Sequence, residues 1–325
     1  MENEGKIRLL TLYKVLYERT DAEHPLSTAQ LIEILLNEYS ISAHRSTITK
    51  DADVLMSFGI NVVRIESTQN KYYIGIREFE TSELKLLIDA VESSKFITES
   101  KSKQLVAKLV KLTSSTKSEN IKRNLCTEGR IKPGNENIYA IVDAINDAIN
   151  QGKQISFQYF QYDLKKKKKP KNNGEIYYFS PYSLVWNGDY YYMVGYSEKH
   201  NNVGTFRVDR IVDSPKILKK AALPMPEDFA LAKYVTATFR MFNKEPEQVE
   251  LICDNSVIDS IIDRFGEDVK IYAHDMDSFR LIVDVATTHI FYSWIFGFQG
   301  KVMIKGPKSV KEAYAQMVKA AAESL

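Results

Sequence analysis

The chain has 325 residues, 44% hydrophobic and 26% charged, with 44 Lys and Arg against 42 Asp and Glu. That is core material for two or three globular domains and excludes a disordered or fibrous protein. No apolar run approaches the roughly 20 residues that cross a bilayer; the longest, Ile290 to Phe298, is interrupted by Tyr, Ser and Gly, and the start, MENEGKIRLL, has no apolar signal core. A cytoplasmic protein with no membrane partner is expected. Cys126 and Cys253 stand far apart with no C-x-x-C, which argues against a disulfide or zinc framework.

Leu9, Leu12, Tyr13 and Leu16 repeat at helical spacing and predict a first amphipathic helix. Ser27 and Gln30 form an S-x-x-Q capping box for a second, with Leu26 and Leu31 placed as a hydrophobic staple. A third helix is predicted to open near Ser42, bury Ile48, Ala52 and Leu55, and end at Gly59. Two short strands, Ile60 to Val63 and Tyr72 to Ile76, follow around a polar tip. Residues 1–76 therefore read as a winged helix-turn-helix. With Ile48, Ala52 and Leu55 inside, a step of about 100° per residue turns Ser46, Thr47, Thr49 and Lys50 outward. His44 and Arg45 lie in the first turn, where recognition helices meet base edges, and Lys71 sits at the wing. The Thr47-Ile48-x-Lys50-Asp51 pattern with Leu55 and Gly59 resembles winged-helix regulators of the DeoR type. These 76 residues carry 8 Lys and Arg against 10 Asp and Glu. That balance suits a homodimer with a few positioned cations on a double-stranded DNA operator, not indiscriminate binding.

Residues 77–135 read as a helical linker. Leu84, Leu87, Ile88 and Val91 mark one helix, and Leu105, Leu109 and Leu112 a second, while 93–103 and 113–122 are rich in Ser, Lys and Thr and read as connectors. Helices too few to enclose a core leave an apolar face for a second subunit, so part of a dimer interface is expected here.

Ile138, Ile141, Val142, Ile145 and Ile149 predict a helix ending at Gly152, and Ile155 to Phe160 a strand. Asn187-Gly188 between Leu184-Val185-Trp186 and the run from Tyr190 predicts a two-residue hairpin with positive φ at both turn positions. Alternation makes Tyr190 and Tyr192 share a face and gives Tyr191 the other, and Phe206 to Ile211 reads as the next strand, carrying Arg207 and Arg210. Two arginines on a short apolar strand need either a carboxylate such as Asp209 or Asp213, or an anionic ligand. Residues 138–220 hold 13 Lys and Arg against 8 Asp and Glu, including the run Lys165 to Lys169. The run reads either as a flexible solvated loop or as a footprint for a polyanion.

Pro181 with Leu184-Val185, the NG turn, Tyr191-Tyr192-Met193 and Phe206-Arg207-Val208-Asp209-Arg210-Ile211 together resemble the WYL domain of bacterial transcription regulators. Tyr191 and Met193 stand where the family writes Trp and Leu. The resemblance implies an SH3- or Sm-like β-barrel over residues 136–220 that senses a nucleic acid or nucleotide-like effector, with Tyr159, Tyr191, Tyr192, Arg207 and Arg210 as candidate ligand residues.

Residues 221–325 alternate strand and helix in a βαββαβ order that suggests a ferredoxin-like sandwich. With Phe296-Gly297 and Lys305-Gly306-Pro307 they resemble the WCX-type extension that follows WYL domains. The fold class expected is therefore α+β and multidomain. No phosphate loop, H-E-x-x-H, G-x-S-x-G or EF-hand loop is present, and His274-Asp275-Met276-Asp277 reads as a polar turn. The expectation is a ligand-responsive, homodimeric repressor without cofactor or metal and not an enzyme. The alternative is an RNA- or single-strand-binding protein read mainly by the barrel.

Overall fold

A computed structural model describes residues 3–123, 132–227, 229–237 and 246–324. Cys126 lies outside them. The chain divides into two units, one up to Gly134 and one from Asn135 onward.

The first unit opens with α1 (Glu4–Arg19), β1 (Leu26–Ser27), α2 (Thr28–Tyr39), α3 (Arg45–Ser57), β2 (Val62–Ile65) and β3 (Lys71–Ile74). The three strands form an antiparallel sheet in the order β1-β3-β2. The Ser27 capping box is made in both directions, with Gln30 N–H to Ser27 Oγ and Ser27 N–H to Gln30 Oε1. Leu12, Leu16, Leu31, Leu35, Ile48, Ala52 and Tyr72 close one core, with Leu26 against it. The third helix starts later than predicted, because His44 is extended (φ −99°, ψ 157°) and the turn begins only at Arg45. It ends as predicted before Gly59, whose φ of +98° favours glycine.

α4 (Thr81–Ser93), α5 (Glu99–Leu109) and α6 (Ser115–Arg123) complete this unit. Two expectations are corrected here. Of the stretches 93–103 and 113–122, read as connectors, residues 99–103 and 115–122 are helical, and Leu84, Ile88, Val106, Val110 and Ile121 enclose a small core of their own. Leu86 and Leu87 of α4 stay exposed. The segment is fastened to the first helices by polar contacts. Asp21 accepts hydrogen bonds from the Ser114 hydroxyl (2.5 Å), the His24 ring (2.9 Å) and the Glu23 amide. Burial raises the Asp21 carboxyl's pKa, but those three donors together outweigh burial and hold it below the usual carboxylate value. Arg77 donates to the Tyr17 and Thr20 carbonyls and lies 4.5 Å from the Tyr17 ring centroid, capping α1.

The second unit begins with α7 (Ile138–Asn150), followed by β4 (Lys153–Gln158), β5 (Phe160–Tyr162), β6 (Lys168–Pro170), β7 (Ile176–Asn187), β8 (Tyr190–Ser197), β9 (Asn202–Arg207) and β10 (Lys216–Ala221). Five of these strands make an antiparallel sheet in the order β10-β4-β7-β8-β9. Its two edge strands do not pair with each other, and among the described residues one isolated bridge, Tyr159 to Ile211, joins the chain beyond β4 and β9, so the sheet does not close as a barrel. α7 lays Ile138, Ile141 and Ile145 on β4 and β7.

Three local expectations shift. The hairpin loop is Gly188-Asp189: Asn187 stays in the strand opposite Tyr190, and only Gly188 takes positive φ (58°), as in turns that place glycine first. The strand carrying Arg207 stops there, and Val208–Arg210 form a 3-10 turn, because Asn135 donates to the Asp209 and Ile211 carbonyls (3.2 and 3.0 Å) and bends the chain. The lysine run is a hairpin, β5 against β6.

α8 (Leu231–Ala237), β11 (Glu247–Asp254), α9 (Ile258–Phe265), β12 (Ile271–Ala273), β13 (Ser278–Val285), α10 (His289–Gly297), β14 (Val302–Gly306) and α11 (Lys308–Glu323) follow. The four strands are antiparallel in the order β12-β13-β11-β14, over a core of Val249, Leu251, Leu281, Phe291, Ile295 and Ile304. Among the described residues no helix is long and apolar enough to cross a membrane.

Candidate functional site

In the first unit the exposed side of α3 is the candidate surface. Burial of Ile48, Asp51, Ala52 and Leu55 fixes its rotation. His44, Arg45, Ser46 and Lys50 are exposed, and Thr47 is half-buried. The side chains of Arg45 and Lys50 make no hydrogen bond or ion pair with any described residue. Thr49 is placed differently from the expectation: its hydroxyl bonds the Arg45 carbonyl and the Tyr72 hydroxyl (both 3.2 Å), tying α3 to β3. Lys71 is exposed at the start of β3. Two cations of neighbouring elements pair with carboxylates of α3. Arg8 meets Asp51 at 2.7 Å, and Arg64 meets Asp53 at 3.0 Å, so α1 and β2 hold α3 from two sides.

In the second unit the two arginines have different environments. Arg207 is bound in a fork to Asp209 (Nε to Oδ1 3.1 Å, Nη2 to Oδ2 2.8 Å), and its guanidinium lies 3.3 Å from the Tyr190 ring centroid. Burial alone would lower its pKa, but the Asp209 hydrogen bonds and charge outweigh this and raise it. Arg210 is half-buried and makes no hydrogen bond or ion pair with any described residue. Tyr159 and Tyr192 both lie within its electrostatic reach. Tyr159 is buried, and its hydroxyl accepts the Arg207 N–H at 3.2 Å. Burial, only partly offset by the arginines and that bond, pushes its phenol up to about 12, so at neutral pH it remains a neutral donor.

The tyrosine strand splits as its alternation requires. Tyr192 is buried against Val194 and Tyr234 of α8, which makes it core as much as platform. Tyr191 stands on the opposite face beside Trp186, ring centroids 5.6 Å apart. The predicted ligand set is thus brought together as Tyr159, Tyr192, Arg207 and Arg210, with Tyr191 set apart.

The WYL domain family matches residues 140–214, and the WCX domain family matches residues 245–322. The chain carries a WYL domain and a WCX domain. No curated protein matches the chain. Among solved structures it is similar to proteasome accessory factor B/C (PafBC) of Arthrobacter aurescens, with 15% identity, 99% of this chain and 47% of that one covered, and a TM-score of 0.30. It is also similar to a CRISPR Cas-related protein, with 12% identity, 99% and 84% covered, and a TM-score of 0.37. The chain therefore spans less than half the length of the first.

Sequence reading missed Asn135 and Tyr190 and named Asp209 only as one possible partner of the arginines. Asn135 holds the 3-10 turn, and the other two hold Arg207. Alternation placed Tyr190 on the face of Tyr192, the residue that pairs with Arg207 across the strands, whereas nothing local linked Asn135 to a turn some 74 residues away. In the WCX domain a cavity of about 620 Å³ is lined by Asp254, His274, Asp275, Met276, Asp277 and Lys301 among others. The His274 and Asp275 amides both donate to the Ser278 carbonyl, closing a polar turn. Among the described residues no group of three His, Cys, Asp or Glu side chains is placed to hold a metal.

Proposed function

We propose that the protein is a DNA-binding transcription regulator, a binder and not an enzyme. Its first unit acts as a winged helix-turn-helix, and its WYL domain, a partly open relative of the SH3- and Sm-like barrels, senses a nucleic acid or nucleotide-like ligand. The observation that carries this reading is the α1-α2-α3-β2-β3 order with a cationic, unpaired stripe, Arg45 and Lys50, on the exposed side of the third helix. A cation in that stripe can meet a guanine edge or a phosphate, and the hydroxyls of Ser46 and Thr47 can bond either. The regulator acts as a homodimeric repressor on a pseudo-palindromic operator in the cytoplasm. Exposed Leu86 and Leu87 on α4 offer an apolar face for the second subunit. The WCX domain, with its 2-3-1-4 strand order, supplies a ferredoxin-like module beside the sensor.

Lys50→Ala should weaken binding to duplex DNA from the chain's own upstream region by about 1–3 kcal/mol if Lys50 reads a base. If it meets only phosphate, the salt slope should fall by about one. Fluorescence anisotropy across a salt series reads both, and an unchanged affinity with an unchanged slope removes α3 from the interface. A second reading, in which the WYL domain binds RNA or single strands as the main activity, draws on its lysine hairpin. It predicts a duplex affinity lost to single-stranded competitor at equal concentration.

A further inference from the structure

The lysine run is built into a shaped projection. β5 and β6 pair Phe160 with Pro170, Gln161 with Lys169 and Tyr162 with Lys168. Asp163 fixes the tip: its carboxylate accepts the Lys165 and Lys167 amides (2.9 and 2.8 Å) and lies 3.4 Å from Lys169 Nζ, while Lys166 takes a left-handed φ of 60°. Lys165, Lys166 and Lys167 are thereby held side by side, exposed, and their side chains have no partner among the described residues. On one face of the ribbon Lys168 lies 4.8 Å from the Phe160 ring centroid, and exposed Tyr162 stands edge-on to that ring at 5.5 Å.

The base of the hairpin runs into the arginine site. The Lys171 amide donates to the Tyr159 carbonyl at 2.7 Å, and its ammonium lies 5.8 Å from the Tyr159 ring centroid. The same tyrosine accepts the Arg207 N–H and feels the charge of Arg210. Cations thus continue from Arg210 through Lys171 to the hairpin tip. From Phe160 to Leu164 the ribbon reaches roughly 13 Å at about 3.3 Å per residue, too far for one nucleotide to span.

We infer that the β5-β6 hairpin is a second contact for single-stranded nucleic acid, gripping phosphates beyond the nucleotide held at Arg210, so that the effector is an oligonucleotide. The inference rests on the reading of Arg210 as a phosphate site. A single strand fits better than a duplex because Tyr162 beside Lys168 offers a ring and a cation together, and only unpaired bases present their faces to a ring.

The test uses the full chain, fluorescent oligothymidylates of about ten and about two nucleotides, and a duplex of the longer length, over a salt series. The triple variant K165A/K166A/K167A changes only exposed side chains. For the long strand its plot of log affinity against log salt should be shallower by about 2, at about 0.7 for each phosphate that is no longer neutralised. The short strand should bind it as it binds the unaltered protein, and K165R/K166R/K167R should restore the slope. Equal slopes for the long strand, or a loss on the duplex as large as on the single strand, overturn the inference. If the short strand binds no form while the long strand still loses slope in the triple variant, the hairpin site stands and the Arg210 site falls.

Discussion

Arg207→Ala should destabilise the WYL domain by about 2–3 kcal/mol, whereas Arg210→Ala should change stability by less than about 0.5 kcal/mol. The two arginines sit three residues apart, yet Arg207 forms a bidentate pair with an Asp209 that is only 7% exposed, and covers the Tyr190 ring. Removing the guanidinium leaves a buried carboxylate without its partner, which is far more costly than breaking an ion pair on the surface. The figure stands below that for a fully buried pair because the Arg207 side chain retains 21% exposure. Arg210 has no such partner among the described residues, so its removal strands nothing. Urea denaturation of both variants separates the roles. Equal losses would make both arginines structural and remove Arg210 from the ligand site.

A still larger loss is expected at Gly195. A Cβ there would fall 2.2 Å from the Ser180 carbonyl oxygen, 2.5 Å from Phe179 Cε1 and 2.9 Å from Pro181 Cα. Two of these are backbone atoms at the point where the register of β7 on β8 shifts, between Pro181 and Ser183, and cannot swing aside as a flexible side chain would. Gly195→Ala should therefore cost about 3 kcal/mol or more, by steric crowding alone. Differential scanning calorimetry that finds the variant within about 0.5 kcal/mol of the unaltered protein would mean that the two strands do not approach so closely.

Local chemistry made much of this architecture legible. The Ser27-Gln30 box, the apolar stripe of α7 and the strand-helix alternation after residue 246 are signals written within one element, and each appears where the periodicity placed it. The misplaced features depend on partners distant in sequence or on polar composition. Residues 115–123 look like a linker because Ser, Thr and Lys dominate them, yet Ile121 alone anchors the helix to the core shared by α4 and α5. The alternation of Phe206 to Ile211 suggests a strand, and only Asn135 at the start of this unit explains the turn within it. The lysine run carries no strand propensity, and its hairpin is set by Asp163 and by the ladder on Phe160 to Tyr162. For the candidate site, residue types were legible and their division of labour was not: the sequence offered a carboxylate or a ligand for both arginines, and Arg207 takes the carboxylate while Arg210 has none among the described residues.

The regulatory account stands or falls on coupling between the two units. The affinity of the full-length protein for duplex DNA from its own upstream region should be measured by anisotropy with and without saturating oligothymidylate of about ten nucleotides. The account predicts that the single strand shifts the duplex Kd by about 5- to 150-fold, corresponding to a coupling of about 1–3 kcal/mol, and that Arg210→Ala removes the shift while leaving the ligand-free Kd unchanged. A duplex Kd that stays the same in the unaltered protein at every single-strand concentration would contradict it.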